Sequence, residues 1–442
     1  VDAIVDEALS LPLPPEPDWS DETYDPNNPP VDELIGKVVE WSYLSIEEMV
    51  SNGFRDKMAF FWTNHLVTKI EAYLCPNYLY WYHTLLLQHG LGNFKTMVEE
   101  VGKTPAMLIF LNNVQNFRGN INENYARELF ELFTLGQDNG YTQQDIVEAA
   151  RALTGFNGFN LQELCDQIGY VPALHDPGSK TIFGETGNYD YQGLHDLLFD
   201  VRSDEIAEFI CRKLYVEFIA PDVTEDIVQG LAQTFKDNNF NIAPVMRQLL
   251  KSEHFFHESV LGTKCKSPYE NFLIMLKELG MPSDDMLPGI NLSAVEIIYG
   301  VTTDQGQQLF NPPNVAGWPG DRAWIDSTTI QARWEVNDLF AFNMFTRYPE
   351  QLREWARLLS NDSSDGRLVS DAVVDFLIPT GLQNEQDYIE AFEVFKGELP
   401  DNYFEDGTWS LDYNPDPAIN IVPAQLALLI QHVSHLPEFQ LF

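Results

Sequence analysis

The chain has 442 residues, of which 44% are hydrophobic and 13% aromatic, so it has ample material for a packed core. Its 67 acidic residues outnumber its 26 Lys and Arg, giving a formal net charge of −41. A surface this negative repels phosphate backbones and anionic lipid, which argues against nucleic acid as a partner. No run approaches the roughly 20 apolar residues that cross a bilayer, so we predict no transmembrane segment.

The first 30 residues are predicted to differ from the rest of the chain. Val1, Ile4, Val5 and Leu9 follow helical spacing, and the chain starts with Val rather than Met. We therefore expect a helix remnant at a processed or truncated start. The many prolines and acids of residues 11–30 predict an extended arm, because proline restricts φ and removes a hydrogen-bond donor.

Helical patterns dominate the remainder, residues 31–442, which we predict to form one large all-α domain with long ordered loops. We divide it into a core, 31–330, and a C-terminal helical block, 331–442. Within the core, residues 54–73 predict one long amphipathic helix. The segment KTIFGETG (180–187) predicts one small β-hairpin. No parallel-strand alternation is visible, so α/β folds fit poorly.

Four cysteines occur, Cys75, Cys165, Cys211 and Cys265, and no two lie close enough for a CxxC metal or redox motif. Two interpretations stay open. All four are reduced thiols, some of them buried, or at least one pair forms a disulfide. The sequence does not determine the pairing.

Six segments carry a family resemblance through their order and spacing. They are FRDKMAFFWTNHLV (54–67), NENYARELFELFTLG (122–136), YTQQDIVEAARALTGF (141–156), HDPGSKTIFGETG (175–187), FICRKLYVEFI (209–219) and NPPNVAGWPGDRAWI (311–325). Together they resemble the bacterial family called domain of unknown function 1800, from about residue 30 to the last residues.

This resemblance implies a largely helical, exported protein, located in the periplasm or outside the cell. It also implies a partner, because such proteins are often encoded beside a second exported protein. Family members usually begin with a further helical segment, which agrees with the expected incomplete start. They often have His where this chain has Phe133, and we interpret Phe133 as a core substitution. The resemblance implies no mechanism and no cofactor.

His65 is the first candidate for chemistry, since it lies on the apolar face set by Met58, Phe61 and Trp62. A buried neutral imidazole needs partners for both ring nitrogens. One interpretation is a core histidine bonded to a backbone carbonyl or a carboxylate. The other is a catalytic general base or metal ligand.

Glu128 is the second candidate, at the edge of the apolar stripe in the NENYARE helix. A carboxylate there is partly desolvated, which raises its pKa unless a cation is near. Arg127 is four residues from both Glu123 and Glu131 and can bridge them. The alternatives are a salt-bridge ladder with one boundary carboxylate, or Glu128 as an acid/base group and Glu123 as a metal ligand.

The loop around His175, Asp176 and Lys180 is the strongest candidate for a functional site, because it places an imidazole, a carboxylate and an ammonium at one bend. In the functional interpretation His175 and Lys180 act in catalysis, and His175 and Asp176 bind a metal. In the structural one Asp176 caps the turn, His175 packs and Lys180 pairs with an acid.

Trp318 and Trp324 frame a compact Gly- and Pro-rich turn. They predict either an aromatic platform for a sugar ring or proline, or two plugs of the helical core.

Two functions remain open. The first is a non-catalytic, exported binding or assembly component. The second is a metal-assisted hydrolase with His65, Glu128, His175 and Asp176 around one pocket. If a shared site exists, we expect it to join residues 122–128, residues 175–180 and His65. In the binding hypothesis these side chains lie apart, each with a local partner.

Overall fold

A computed structural model describes residues 1–284, 286–287, 289–415 and 420–442. It is mainly helical, which confirms the predicted all-α class. The chain divides into two compact units, one of residues 1–255 and 308–318, the other of residues 256–307 and 319–442. The second unit thus begins inside the range that the sequence analysis assigned to the core. No helix in the described part of the chain has the length and apolar character to span a membrane.

The first unit contains thirteen α-helices among its described residues. They are α1 (Asp2–Ser10), α2 (Val31–Asn52), α3 (Phe54–Thr63), α4 (Ile70–Tyr73), α5 (Pro76–His89), α6 (Phe94–Gly102), α7 (Pro105–Phe110), α8 (Asn124–Glu128), α9 (Gln143–Ala152), α10 (Tyr191–Val201), α11 (Ser203–Phe218), α12 (Glu225–Asp237) and α13 (Ile242–Lys251). A π-helix, Leu129–Thr134, continues α8. Its core is rich in aromatic side chains, with Trp62, Tyr82 and Phe94 fully buried.

The prediction of one helix over residues 54–73 is wrong, because α3 ends at Thr63 and α4 begins only at Ile70. Asn64 follows the last turn of α3, and its side-chain oxygen accepts a hydrogen bond from the Trp318 backbone N–H at 2.7 Å. The sequence periodicity continues across residues 64–69, but this long-range bond occurs where the helix ends.

The predicted hairpin exists as β3 (Lys180–Ile182) and β4 (Glu185–Gly187), paired antiparallel with Thr181 opposite Thr186. A second two-stranded sheet pairs β1 (Phe156–Gly158) with β2 (Gly169–Tyr170). This sheet was not predicted from the sequence. Its strands are two or three residues long, too short for a period-2 pattern to be recognised.

A disulfide joins Cys75 to Cys165, so the expectation of at least one disulfide is confirmed. Cys75 immediately precedes α5, and Cys165 lies in the loop between β1 and β2. The predicted extended arm lies beside this loop, because Tyr24 and Leu164 exchange backbone hydrogen bonds of 3.0 and 2.7 Å. Trp19 anchors the arm, being only 5% exposed.

The second unit is also helical. Its helices are α14 (Pro268–Glu278), α15 (Ala294–Asp304), α16 (Ser327–Arg347), α17 (Pro349–Leu359), α18 (Gly366–Leu377), α19 (Glu385–Lys396), α20 (Asn402–Glu405) and α21 (Ile421–His435). Capping boxes formed by Ser267 with Glu270, and by Ser293 with Glu296, start α14 and α15. Helix α21 packs against α16 and α19 through its buried apolar face.

Candidate functional site

His65 is a buried core histidine, 5% exposed, whose Nε2 lies 2.9 Å from the Phe133 carbonyl oxygen. A carbonyl only accepts, so Nε2 carries the proton. The rings of Phe61, Trp62, Phe94, Phe133 and Phe209 surround the imidazole. Burial, together with the charge of Lys213, keeps the pKa of His65 well below its ordinary value. His65 therefore stays neutral, and its Nδ1 has no partner among the described residues.

The π-helix explains how Phe133 comes to meet His65. The Leu135 N–H donates to the Phe130 carbonyl at 2.8 Å, a five-residue spacing that widens the turn. The last carbonyls of a helix have no partner within it, and His65 supplies one for Phe133. The Phe133 side chain is itself buried, as expected of a core substitution.

Glu123 belongs to a salt-bridge ladder, as one of the two interpretations predicted. Its carboxylate accepts from Arg127 at 3.1 Å and from Gln143 at 2.5 Å, while Arg127 also reaches Glu131 at 3.3 Å. Glu128 lies half-buried at the boundary, and burial followed by the nearby Glu131 charge raises its pKa. The carboxylate of Glu123 is thus already engaged by neighbouring side chains.

The 175–180 loop does bring His175, Asp176 and Lys180 together. Arg151 binds the Asp176 carboxylate through Nε at 2.8 Å and Nη2 at 3.2 Å, and this ion pair lowers the pKa of Asp176 to about 2. Lys180 is 1% exposed and donates to the carbonyls of Asp176 and Gly178 at 2.7 and 2.9 Å.

Thr154 joins this loop to α9. Its hydroxyl oxygen accepts from the Asp176 backbone N–H at 2.8 Å and lies 3.1 Å from Nδ1 of His175. The polar groups of the loop therefore bind one another and the backbone, which is the structural interpretation of this segment.

Both tryptophans are buried, which agrees with the interpretation that they plug the helical core and not with the interpretation that they form a platform. In the first unit, Trp318 is 5% exposed and stacks on Phe60, with ring centroids 5.7 Å apart. In the second unit, Trp324 is 4% exposed and its carbonyl accepts from Thr329 at 2.9 Å. A sugar ring stacks on the open face of an aromatic side chain, and neither buried indole has an open face.

The structure thus gives the sequence-predicted residues separate partners. His65 binds Phe133, Glu123 binds Arg127 and Gln143, and the 175–180 loop binds Arg151 and Thr154. Across residues 1–284, 286–287, 289–415 and 420–442, no three His, Cys, Asp or Glu side chains cluster as metal ligands would. The carboxylates of Glu123 and Asp176, which were expected to bind a metal, form ion pairs with arginines instead.

A different cluster surrounds Asp56, on α3 of the first unit. Asp56 is 3% exposed and, together with His83 of α5, lines a small pocket whose space of about 230 Å³ includes its opening to solvent. We call this the Asp56 pocket. Burial raises the pKa of Asp56 to about 6, and the charge of Arg55 only partly opposes this.

Arg55 holds the Asp56 carboxylate in place. Its Nε lies 3.0 Å from Oδ2 and its Nη2 lies 3.3 Å from Oδ1 of Asp56. The same guanidinium donates to Glu48 at 2.8 Å and to the Pro12 carbonyl. A two-point contact of this kind fixes the orientation of a carboxylate.

His83 faces the same pocket as a hydrogen-bond donor. Trp41 Nε1–H donates to its Nδ1 at 3.2 Å, and an indole N–H cannot accept. Burial lowers the pKa of His83 to about 3, so the ring is neutral and its single proton is on Nε2.

Sequence reasoning missed Asp56 and His83, although one signal was present. Asp56, Phe60 and Thr63 follow i, i+4, i+7 spacing, so a carboxylate lies on a face with aromatic neighbours inside a mostly apolar helix. His83 occurs in an aromatic run with no acid nearby in the sequence. Only the packing of α3 against α5 brings the two together.

Comparison with known proteins gives a family but no individual relative. No curated protein and no solved structure matches the chain. The family model described as "Protein of unknown function (DUF1800)" matches residues 16–441. The chain therefore belongs to this family, as its six segments indicated.

Proposed function

We propose that this protein is a non-catalytic binding component and that the Asp56 pocket takes a small neutral polar group, a hydroxyl or a primary amide. The supporting observation is that an acceptor, the Asp56 carboxylate, and a donor, the His83 Nε2–H, line one pocket. Phe60 and Phe310 supply apolar walls. A group that both donates and accepts satisfies both sides at once.

The charges favour a neutral group. Arg55 already neutralises the Asp56 carboxylate at two points, so an added ammonium gains little there and meets the His83 N–H. An added carboxylate meets Asp56 and the Glu48 charge behind Arg55. Burying an unpaired charge costs several kcal/mol, about the scale that separates binders from non-binders.

The arrangement favours binding over catalysis. Two hydroxyls line the pocket, but Ser45 donates to the Trp41 carbonyl at 2.7 Å and Thr63 donates to the Ala59 carbonyl at 2.9 Å. A nucleophilic hydroxyl needs a base as its partner. The hydrolase alternative, with His65, Glu128, His175 and Asp176, lacks a supporting contact, because each side chain has its own neighbours.

Export is part of the same proposal. The Cys75–Cys165 disulfide persists in oxidising compartments and is rare in a reducing cytosol. The net charge of −41 suits a protein in contact with salt-containing surroundings. We therefore propose a periplasmic or extracellular location, with a second exported protein encoded nearby as the partner. Fractionation of cells expressing the full gene tests the location, and a cytoplasmic, fully reduced protein would contradict it.

Ligand-observed NMR with propionamide and propionate as probes tests the pocket. We expect propionamide to bind and propionate to bind at least about tenfold more weakly. Asp56→Asn and His83→Phe should each lower the affinity for propionamide about tenfold. Asp32→Asn, at an exposed acid of α2, is the matched control. Circular dichroism checks that each variant folds.

Equal binding of propionamide by the native protein, Asp56→Asn and His83→Phe would overturn the proposal. So would turnover of an ester or amide substrate that is lost in Asp56→Asn, since that result makes the pocket catalytic.

A further inference from the structure

A second pocket in the first unit includes the other member of the Arg55–Asp56 ion pair. Arg55 lines this pocket, whereas Asp56 lines the first one. It contains about 500 Å³ of space that includes its opening to solvent, and its walls are mainly leucine: Leu9, Leu11, Leu13, Leu87 and Leu91. We call it the leucine pocket.

One wall of the leucine pocket is formed by Ala8, Leu9, Leu11 and Leu13, and the segment that carries them, residues 2–13, is held at both ends. Asp2 and Asp6 of α1 form ion pairs with Arg247 of α13, and Asp2 also pairs with Lys251. At the other end, the Pro12 carbonyl accepts from Arg55. The wall is thus positioned by polar contacts, although its leucines face a space that no described side chain fills.

Two of these leucines are costly to leave uncovered. Leu9 is 50% exposed and Leu13 is 41% exposed, yet both line the pocket. Each Å² of apolar surface removed from water contributes about 25 cal/mol, so an aliphatic ligand gains most from this wall.

The polar groups specify the rest of the ligand. Arg55 uses four of its five N–H bonds on Asp56, Glu48 and Pro12, which leaves one Nη1–H without a partner among the described residues. That N–H calls for an acceptor. An anionic acceptor is disfavoured, because Glu48 and Asp56 flank the guanidinium and the chain carries a net charge of −41.

From this lining we infer that the leucine pocket binds a neutral aliphatic molecule that carries one hydrogen-bond acceptor, such as a chain ending in an alcohol or an ester. The aliphatic part packs on the leucines, and the acceptor receives the free Arg55 N–H. This site is separate from the Asp56 pocket and does not depend on the function proposed for it.

Competition for a fluorescent probe tests the inference on the whole chain. The neutral dye N-phenyl-1-naphthylamine is bound first, and 1-octanol or octanoate is added at pH 8. We expect 1-octanol to displace the dye and octanoate to need at least about tenfold higher concentration. Leu9→Asp and Leu13→Asp should each lower the affinity for 1-octanol at least about tenfold, since a charge replaces apolar contact surface.

Leu161→Asp is the matched control, because Leu161 is 86% exposed in the same unit and lies outside the pocket lining. It should leave 1-octanol binding unchanged within about twofold. All three leucines are exposed, so the variants are expected to fold, and Leu9→Ser repeats the test without an added charge.

Three outcomes would overturn the inference. They are equal affinity for octanoate and 1-octanol, equal loss in Leu161→Asp and Leu9→Asp, and dye binding that appears only when the chain self-associates. His83→Phe distinguishes the two pockets, because His83 lines only the Asp56 pocket. This variant should weaken propionamide binding and leave 1-octanol displacement in place.

Discussion

Two polar regions of the first unit show how similar residue types differ in use. The 175–180 loop holds an imidazole, a carboxylate and a buried ammonium, and almost every polar atom has a partner in the chain itself. The Asp56 pocket holds a carboxylate and an imidazole too, but both of these residues also line an unfilled space. The 175–180 loop, which has more polar groups in the sequence, is therefore also the region whose polar groups are more completely hydrogen-bonded in the structure.

The number of polar and charged residues in a short segment is therefore a poor indicator of a ligand-binding site. A buried polar group must be paired, and a loop that pairs its own groups has used them for stability. Groups left facing a cavity are the ones available to a ligand. Four experiments test this contrast.

Removing the disulfide is expected to have the largest effect, because it touches both regions. Cys75 precedes the helix that carries His83, and Cys165 lies ten residues before His175. The bond closes a loop with a sequence separation of 90, for which chain entropy predicts roughly 4–5 kcal/mol of stabilisation. Urea unfolding of Cys75→Ser, with Cys265→Ser as the free-thiol control, measures it. Equal midpoints for the two variants would contradict the expectation.

Lys180→Met tests whether the 175–180 loop is structural. The substitution leaves the Asp176 and Gly178 carbonyls without their donor, which should lower the unfolding free energy by about 2–3 kcal/mol. Propionamide binding at the Asp56 pocket should not change. Lys277→Met, at an exposed lysine, is the control and should have little effect on stability. A binding loss with unchanged stability would make the loop a site after all.

Asp56→Asn tests the pocket through pH. Folding raises the Asp56 pKa from 3.8 to about 6, so the folded state holds an extra proton between these values. This contribution to stability is complete below about pH 4 and is lost as the pH rises through about 6. Relative to the native protein, the variant should therefore gain up to about 3 kcal/mol between pH 4 and pH 7.

Urea unfolding of the native protein and Asp56→Asn at both pH values measures this change. Asp32→Asn, at an exposed carboxylate, should show a difference that is nearly independent of pH. If Asp56→Asn behaves in the same way as Asp32→Asn, the carboxylate is ionised as in water and the pocket does not desolvate it.

The smallest effect is expected from coupling between Glu128→Gln and His175→Ala. If the two residues shared a site, their losses of stability would not be additive. In the structure, however, His175 contacts Thr154, and Glu128 lies near Arg127 and Glu131. Their coupling energy should then lie within about 0.5 kcal/mol of zero in a double-mutant cycle. A coupling of 1 kcal/mol or more would restore the shared site.

Local features were well determined by the sequence. The hairpin over 180–187 and the ladder of Glu123, Arg127 and Glu131 follow from turn residues and helical spacing, which act within a few residues. The sequence also indicated that His65 is buried beside Phe61 and Trp62, although the helix that carries these two residues ends at Thr63.

Tertiary structure alone decided the rest. The end of α3 lies where Asn64 binds Trp318, a residue far away in the sequence, and folding made Cys165 the partner of Cys75. It also placed His83 beside Asp56, 27 positions away in the sequence. Each of these depends on which groups meet in space, and hydrophobic periodicity specifies that a face is buried without specifying what it is buried against.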